Sequence, residues 1–245
     1  MHEPWFYCPT LSPGVNLLDG DESCHAMKSV RLRPGDTLTL FDGVGHTATA
    51  VVAPSSGASR LRRGLAVVAD AVAEVARPAR SLTLIVPGCK GARLDWLIEK
   101  VTELGVDRVV LAEFEHSAVH SGPQHVERLR RTAIAACKQS RRACLPAIEA
   151  GLPLAEALAT VGGALAIAHL DAEAIWLAEW LRLPVARVPT VATVIGPEGG
   201  LSIGEVAQLR AAGGQMVRLA EHVLRIETAA VAVAANWAAQ LTSEL

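Results

Sequence analysis

Two short segments hold the residues best placed to do chemistry. The first is Ile195-Gly196-Pro197-Glu198-Gly199-Gly200. It leaves the apolar run Val191–Ile195 and enters Leu201-Ser202-Ile203-Gly204-Glu205. The run reads as a buried strand. Ser202 with Glu205 three residues on has the spacing of a capping box, so a helix starts there. Glycines at such a junction let the backbone approach a ligand and turn its N–H groups toward it. The helix N-terminus adds a positive dipole end. This loop can cradle an anionic or carboxylate-bearing ligand; the plainer alternative is an ordinary turn with a charged tip at Glu198. The second segment is Leu219-Ala220-Glu221-His222-Val223-Leu224-Arg225-Ile226-Glu227-Thr228-Ala229. It brings Arg225 and Glu227, a cation and a carboxylate, to the start of a small-residue helix over Thr228–Leu241.

These residues need a frame, and the pattern predicts an α/β one. From Ser81 onward strands and helices alternate. Strands are expected at Ser81–Val86, Asp107–Ala112, Leu165–His169, Val191–Ile195 and Met216–Leu219. Helices are expected at Ala92–Leu104 (closed by Gly105), His125–Lys138, Glu173–Trp180 and Ile203–Ala212, besides the last. Interleaving of this kind implies a parallel sheet. Upstream, Thr37–Phe41, Thr47–Ala53 and Gly64–Ala73 read as strands. Asp42-Gly43-Val44-Gly45-His46 is a hairpin-type turn between the first two. The stretch Ala76-Arg77-Pro78-Ala79-Arg80 separates the halves. Two domains are therefore expected, a small β-barrel over 1–75 and an α/β domain over 81–245.

Several chemistries are set aside. Gly43-Val44-Gly45-His46-Thr47-Ala48 matches a weak dinucleotide fingerprint, but that motif needs a helix next, and Thr47 onward alternates like a strand. His116, His120 and His125 lie close in sequence without the cysteine or carboxylate spacing of a metal site, so no metal is expected. No apolar run approaches the ~20 residues of a membrane span. The five cysteines, Cys8, Cys24, Cys89, Cys137 and Cys144, show no C-x-x-C spacing. Reduced thiols and a cytoplasmic protein are expected.

The chain has 245 residues, 51% of them hydrophobic, and a net charge of −2. A nucleic-acid partner would have to meet local basic patches. Arg128, Arg130, Arg131, Lys138, Arg141 and Arg142 fall in a stretch without an acidic residue. Arg60, Arg62 and Arg63 fall in another. A dense basic run in an acidic chain points to phosphate contact; a solvated face is the alternative. Trp5, Phe6 and Tyr7 are candidates for base stacking or for a strand core.

G-P-E-G-G followed some twenty residues later by V-L-R-I-E-T-A resembles the signature of the SPOUT methyltransferases. More narrowly, it resembles the bacterial family that methylates N3 of a uridine in 16S ribosomal RNA. Further stretches agree. His25 and Arg31 precede Pro34-Gly35-Asp36; Lys90 precedes Glu99-Lys100-Val101-Thr102-Glu103-Leu104-Gly105-Val106; Gln139-Ser140-Arg141-Arg142 precedes Pro146. Ala220, His222 and Ile226 depart from the usual glycine, arginine and threonine or serine.

The resemblance implies a PUA-like RNA-holding barrel, a parallel-sheet domain with a deep trefoil knot, and a homodimer. Periodicity could not suggest the knot, since knots are nearly absent from proteins. It implies S-adenosyl-L-methionine as cofactor, held by Ile195, Gly196, Gly199, Gly200, Leu219, Ala220, Val223 and Leu224. It implies the 16S rRNA of the small ribosomal subunit as partner, met by Arg31, Lys90, Arg130, Arg131 and Arg142. A sulfonium already activates the methyl group, so positioning and electrostatics remain for the protein. N3 of uridine is a poor nucleophile until its proton leaves. Arg225, Glu198 and Glu227 are the catalytic candidates: Arg225 for an RNA phosphate or the uracil oxygens, the two acids for orientation or proton acceptance. A buried Arg225–Glu227 ion pair is the structural alternative. A SPOUT ribose 2′-O-methyltransferase and an inactive RNA-binding assembly protein are the competing functions.

Overall fold

The computed structural model describes residues 3–54 and 64–242. Arg60, Arg62 and Arg63 lie outside the described residues. The chain divides into two compact units: Met1–Arg77 with Ile134–Leu145, and Pro78–Ala133 with Pro146–Leu245. The second segment of the first unit is absent from the linear boundaries 1–75 and 81–245, which sequence composition suggested.

The first unit is built on strands β1 (Trp5–Tyr7), β2 (Gly14–Leu17), β3 (Thr37–Phe41), β4 (His46–Val52), β5 (Ala66–Ala69) and β6 (Ala73–Glu74). The stretch expected as one strand over 64–73 is two, separated at Asp70-Ala71-Val72. The sheet order is β1-β3-β4-β5-β2, with β6 on β4. Alternation sets the faces: Leu38, Leu40, Ala48, Ala50 and Val52 are buried in one core with Phe6 and Val67. The β3–β4 turn is built by Asp42, whose Oδ1 accepts from the amides of Val44 (2.8 Å) and His46 (3.0 Å). Burial works against its ionisation. The two amides and the His46 ring outweigh that and hold Asp42 below the usual carboxylate range. Gly43 and Gly45 sit at φ 82° and 111°, where a side chain is disfavoured. The G-x-G pattern thus makes a hairpin.

Between β2 and β3 lie helix α1 (Gly20–Cys24) and a π-helical turn (His25–Val30) that ends on Arg31 at φ 63°. Ile134–Leu145 joins this unit through Cys137, which packs with Tyr7 and Phe41. Lys138 Nζ lies 2.8 and 2.9 Å from the two carboxylate oxygens of Glu22 and 5.2 Å from the centre of the Phe6 ring.

The second unit carries β7 (Ser81–Val86), α2 (Ala92–Glu103), β8 (Arg108–Glu113), the start of α3 (Val126–Ser140), β9 (Ala147–Pro153), α4 (Leu154–Ala159), β10 (Ala164–Ala168), β11 (Ile175–Trp176), α5 (Leu177–Trp180), β12 (Thr190–Ile195), α6 (Ile203–Ala211), β13 (Gln215–Arg218) and α7 (Ile226–Thr242). Its seven strands run in the order β11-β13-β10-β12-β7-β8-β9, and every pairing is parallel. Val191, Ala192, Val194 and Ile195 of β12 are buried, as are Leu84, Ile85 and Val86 of β7. Such unbroken apolar strands belong in a sheet covered on both faces. The expected helix over 173–180 is a two-residue strand and a short helix. The pair β9 and α4 has no counterpart in the sequence reading.

Strands β7, β8 and β9 step outward in one direction. The chain then crosses to β10, and β12 inserts between β10 and β7. After β13, helix α7 returns to pack against β12, β7 and α2. That return is the path on which the family resemblance expects threading. All five cysteines are free thiols, and no described helix is long and apolar enough to cross a membrane.

Candidate active site at the carboxyl ends of three adjacent strands

In an open parallel sheet, ligands bind beyond the carboxyl ends of the strands, where strand order reverses. Here β13, β10 and β12 are neighbours, so the chain leaving each must meet at one edge. The exits are Ala168-His169-Leu170, Ile195–Leu201 and Leu219–Ile226. All three border one cavity of about 270 Å³. Ile195, Gly196, Glu198, Gly200, Leu219, Ala220, Val223 and Leu224 line it, together with His169, His222 and Ile226. Two segments some twenty residues apart in sequence are therefore one wall in space.

The first segment is held by its helix. Ser202 Oγ accepts from the Glu205 amide (3.2 Å), and Glu205 Oε2 accepts from the Ser202 amide (2.8 Å). The other oxygen, Glu205 Oε1, accepts from the Glu115 amide at 2.8 Å. The capping box thus also pins the chain after β8. Ser202→Ala should cost about 1 kcal/mol of stability, measured by denaturant unfolding. No loss would mean that the cap is not formed in solution.

Gly199 stands off the cavity. A Cβ there would lie 2.8 Å from that of His116, and His116 Nδ1 is 3.1 Å from the Gly200 carbonyl oxygen. Gly200, at φ 77°, is the residue in the left-handed region. Glu198 is exposed at the rim, not buried.

Arg225 is exposed and does not line the cavity. Its carbonyl accepts from the Ala229 amide at 2.8 Å, beginning α7. Glu227 is 9% exposed. No ion pair joins it to Arg225 among the described residues, so the structural alternative to a chemical role is absent. Glu227 and Glu198 converge electrostatically on Cys89. Burial first, then the charges of Glu227 and Glu198, push that thiol up to about 12, so Cys89 is a neutral thiol.

His169 was missed by sequence reasoning. It lines the cavity, and its Nδ1 is buried without a hydrogen-bond partner. A lone histidine at a strand end carries no signal until the strand order is known. Among the described residues no group of His, Cys, Asp or Glu is arranged to hold a metal ion.

The basic residues divide by partner. Arg128 pairs with Asp95, and Lys138 is held by Glu22. Arg131 lies 3.6 Å from Glu127 with both side chains well exposed, a weak pair. Arg31 and Lys90 are exposed; Arg130 and Arg142 are half-buried.

The chain belongs to the RNA methyltransferase family. Residues 76–238 match the RNA methyltransferase domain and residues 18–57 the RNA methyltransferase PUA domain. Its fold is the α/β SPOUT fold with a PUA-like domain. The chain is 34% identical to the ribosomal RNA small subunit methyltransferase E of Mycobacterium tuberculosis, over 97% of this chain and 92% of that protein. Two solved structures each cover 98% of both chains. One is a probable rRNA-methyltransferase from Porphyromonas gingivalis (32% identity, TM-score 0.83). The other is a ribosomal RNA small subunit methyltransferase E from Neisseria gonorrhoeae bound to S-adenosyl methionine (28% identity, TM-score 0.84).

Proposed function

We propose that this chain transfers a methyl group from S-adenosyl-L-methionine to N3 of a specific uridine in the 16S rRNA of the small ribosomal subunit. One observation carries the reading: segments 195–201 and 219–226 close around a single cavity. The names of the relatives, ribosomal RNA small subunit methyltransferases, support the substrate. The similarity in sequence to uridine-N3 enzymes supports the position methylated.

The cavity suits the cofactor. Ile195, Leu219, Leu224 and Ile226 give apolar walls for a purine. Gly196 and Gly200 bring backbone close, and the orphaned His169 Nδ1 is a buried polar atom that a ligand group would satisfy. Gly199 contributes by holding the loop against His116. When bound, the cofactor supplies a methyl group already activated on a sulfonium. The protein then has to position the uracil and manage one proton. The Arg225 guanidinium, free to reach outward, holds the uracil carbonyl oxygens or the adjoining phosphate and stabilises the imide anion as N3–H is lost. Glu227 and Glu198 orient the base or accept that proton.

We assign RNA holding to the domain over 1–75 and methyl transfer to that over 81–245, in a cytoplasmic homodimer. Arg31, Lys90, Arg130, Arg131 and Arg142 are the RNA contacts of this reading. The double substitution Arg130→Glu/Arg131→Glu should weaken rRNA binding and flatten its dependence on log salt by roughly one unit per lost phosphate contact. Cofactor affinity should not move. Parallel salt slopes at unchanged affinity would make this face merely solvated.

The direct test uses small subunits from a strain lacking the modification, incubated with the protein and methyl-labelled cofactor. N3-methyluridine in the nucleoside digest is the expected product. A 2′-O-methyl nucleoside would assign the sister activity, and cofactor binding without product would leave an assembly protein.

A further inference from the structure

A second cavity of about 670 Å³ lies in the α/β unit, and the reaction as described does not use it. It opens at the N-terminus of α2, a helix of 12 residues whose N-cap, Gly91, offers no side-chain bond to the first amides. The Leu94 amide bonds to the Gly91 carbonyl oxygen at 3.3 Å, which leaves the Ala92 and Arg93 amides to attract an anion. Ser121 lines the same cavity and is only 6% exposed. Its Oγ has no hydrogen-bond partner among the described residues. A Cβ on Gly88 would lie 2.5 Å from that oxygen, so glycine there leaves the hydroxyl room.

The charge of the lining selects among ligands. Asp95 is paired with Arg128, and Cys89 is a neutral thiol. Lys90 is exposed and in no ion pair among the described residues. His120 and His125 complete the polar wall, with Glu113 3.7 Å from His120 Nδ1. The donors outnumber the acceptors, and no unpaired acid lines the cavity. This composition suits a phosphate and not a metal cation.

We propose that this cavity is a phosphate subsite for the substrate RNA strand, with Ser121 Oγ, Lys90 Nζ and the first amides of α2 as donors. The identity of the strand rests on the function proposed above. Cys89 lines this cavity, and the charges of Glu227 and Glu198 of the first site act on its thiol. In this reading the subsite fixes the strand while the base turns toward the cofactor.

The test has two arms on the full-length protein. In the first, inorganic phosphate is titrated while backbone amide resonances are followed by NMR. Saturable shifts are expected at Gly91, Ala92 and Ser121, weakened in Ser121→Ala and in Lys90→Gln. No saturable shift, or one that both variants leave intact, would overturn the subsite. In the second arm, Lys90→Gln should lower 16S rRNA affinity and reduce the salt slope by roughly 0.7–0.9 unit, the value of one phosphate contact, with cofactor affinity unchanged. Phosphate binding with unaltered rRNA affinity would overturn its assignment to RNA. If both arms succeed while the methylated nucleoside is not N3-methyluridine, the subsite stands and the proposed function falls.

Discussion

Arg225→Ala is expected to fold normally, bind cofactor with unchanged affinity and lose at least roughly tenfold in turnover on small subunits, about 1.4 kcal/mol in the barrier. The position of this residue motivates each part. Its side chain is exposed and lies off the cofactor cavity, so truncation removes neither packing nor cavity wall. Among the described residues it forms no ion pair, so no buried partner is left uncompensated. The backbone bond from Ala229 to the Arg225 carbonyl survives any side-chain change. What remains to be lost is the interaction with the RNA. If Arg225 acts on the imide anion, the loss falls on kcat; a pure phosphate anchor would raise KM alone. Arg225→Lys should restore only part of the rate, because a point charge does not reproduce a planar fork of donors. Near wild-type turnover for Arg225→Ala would remove it from the chemistry.

The parts of this fold set by local periodicity were legible in the sequence. The edges of β3, β7 and α2 fall at or within a residue of the spans expected from apolar spacing and from Gly105. The capping box at Ser202 and Glu205 was legible for the same reason: its two partners lie within one turn. What the chain alone could not give is long-range. That His169 faces the same cavity as Gly196 and Leu219 depends on β10 lying between β13 and β12, an order that no local window encodes. The placement of Gly199 against His116 depends on the chain after β8 passing beside the loop. Glu173–Trp180 was expected as a helix, yet pairing of Ile175 and Trp176 with β13 prevails over local preference. The family motifs led to the cavity by resemblance; the open end of α2 and the buried Ser121 hydroxyl carry no motif and were visible only in three dimensions.

The basic run over 128–142 shows most plainly how sequence and structure divide the same residues. As a string it is six cations without an acid. In the structure Lys138 is a largely buried partner: side-chain exposure is 14% for Lys138 and 10% for Glu22, and Nζ lies 2.8 Å from Glu22 Oε1. Removing one member of a buried pair leaves the other charge desolvated. Lys138→Ala should therefore destabilise the first unit by about 3–5 kcal/mol, far beyond the 0–1 kcal/mol typical of a surface pair. The lost approach of the ammonium to the Phe6 ring adds to the effect. Lys138→Met keeps an unbranched apolar side chain but still strands Glu22, so it should remain clearly destabilised. Glu22→Gln/Lys138→Met removes both charges and should recover most of the loss, since a buried pair replaced by neutral groups of similar size is often nearly neutral. Denaturant unfolding of the full chain, with rRNA affinity measured on the folded fraction, separates the roles. A loss under about 1 kcal/mol in Lys138→Ala, accompanied by weaker rRNA binding, would return Lys138 to the RNA-facing set. A large loss with unchanged affinity would fix it as the ion that ties the end of α3 to α1.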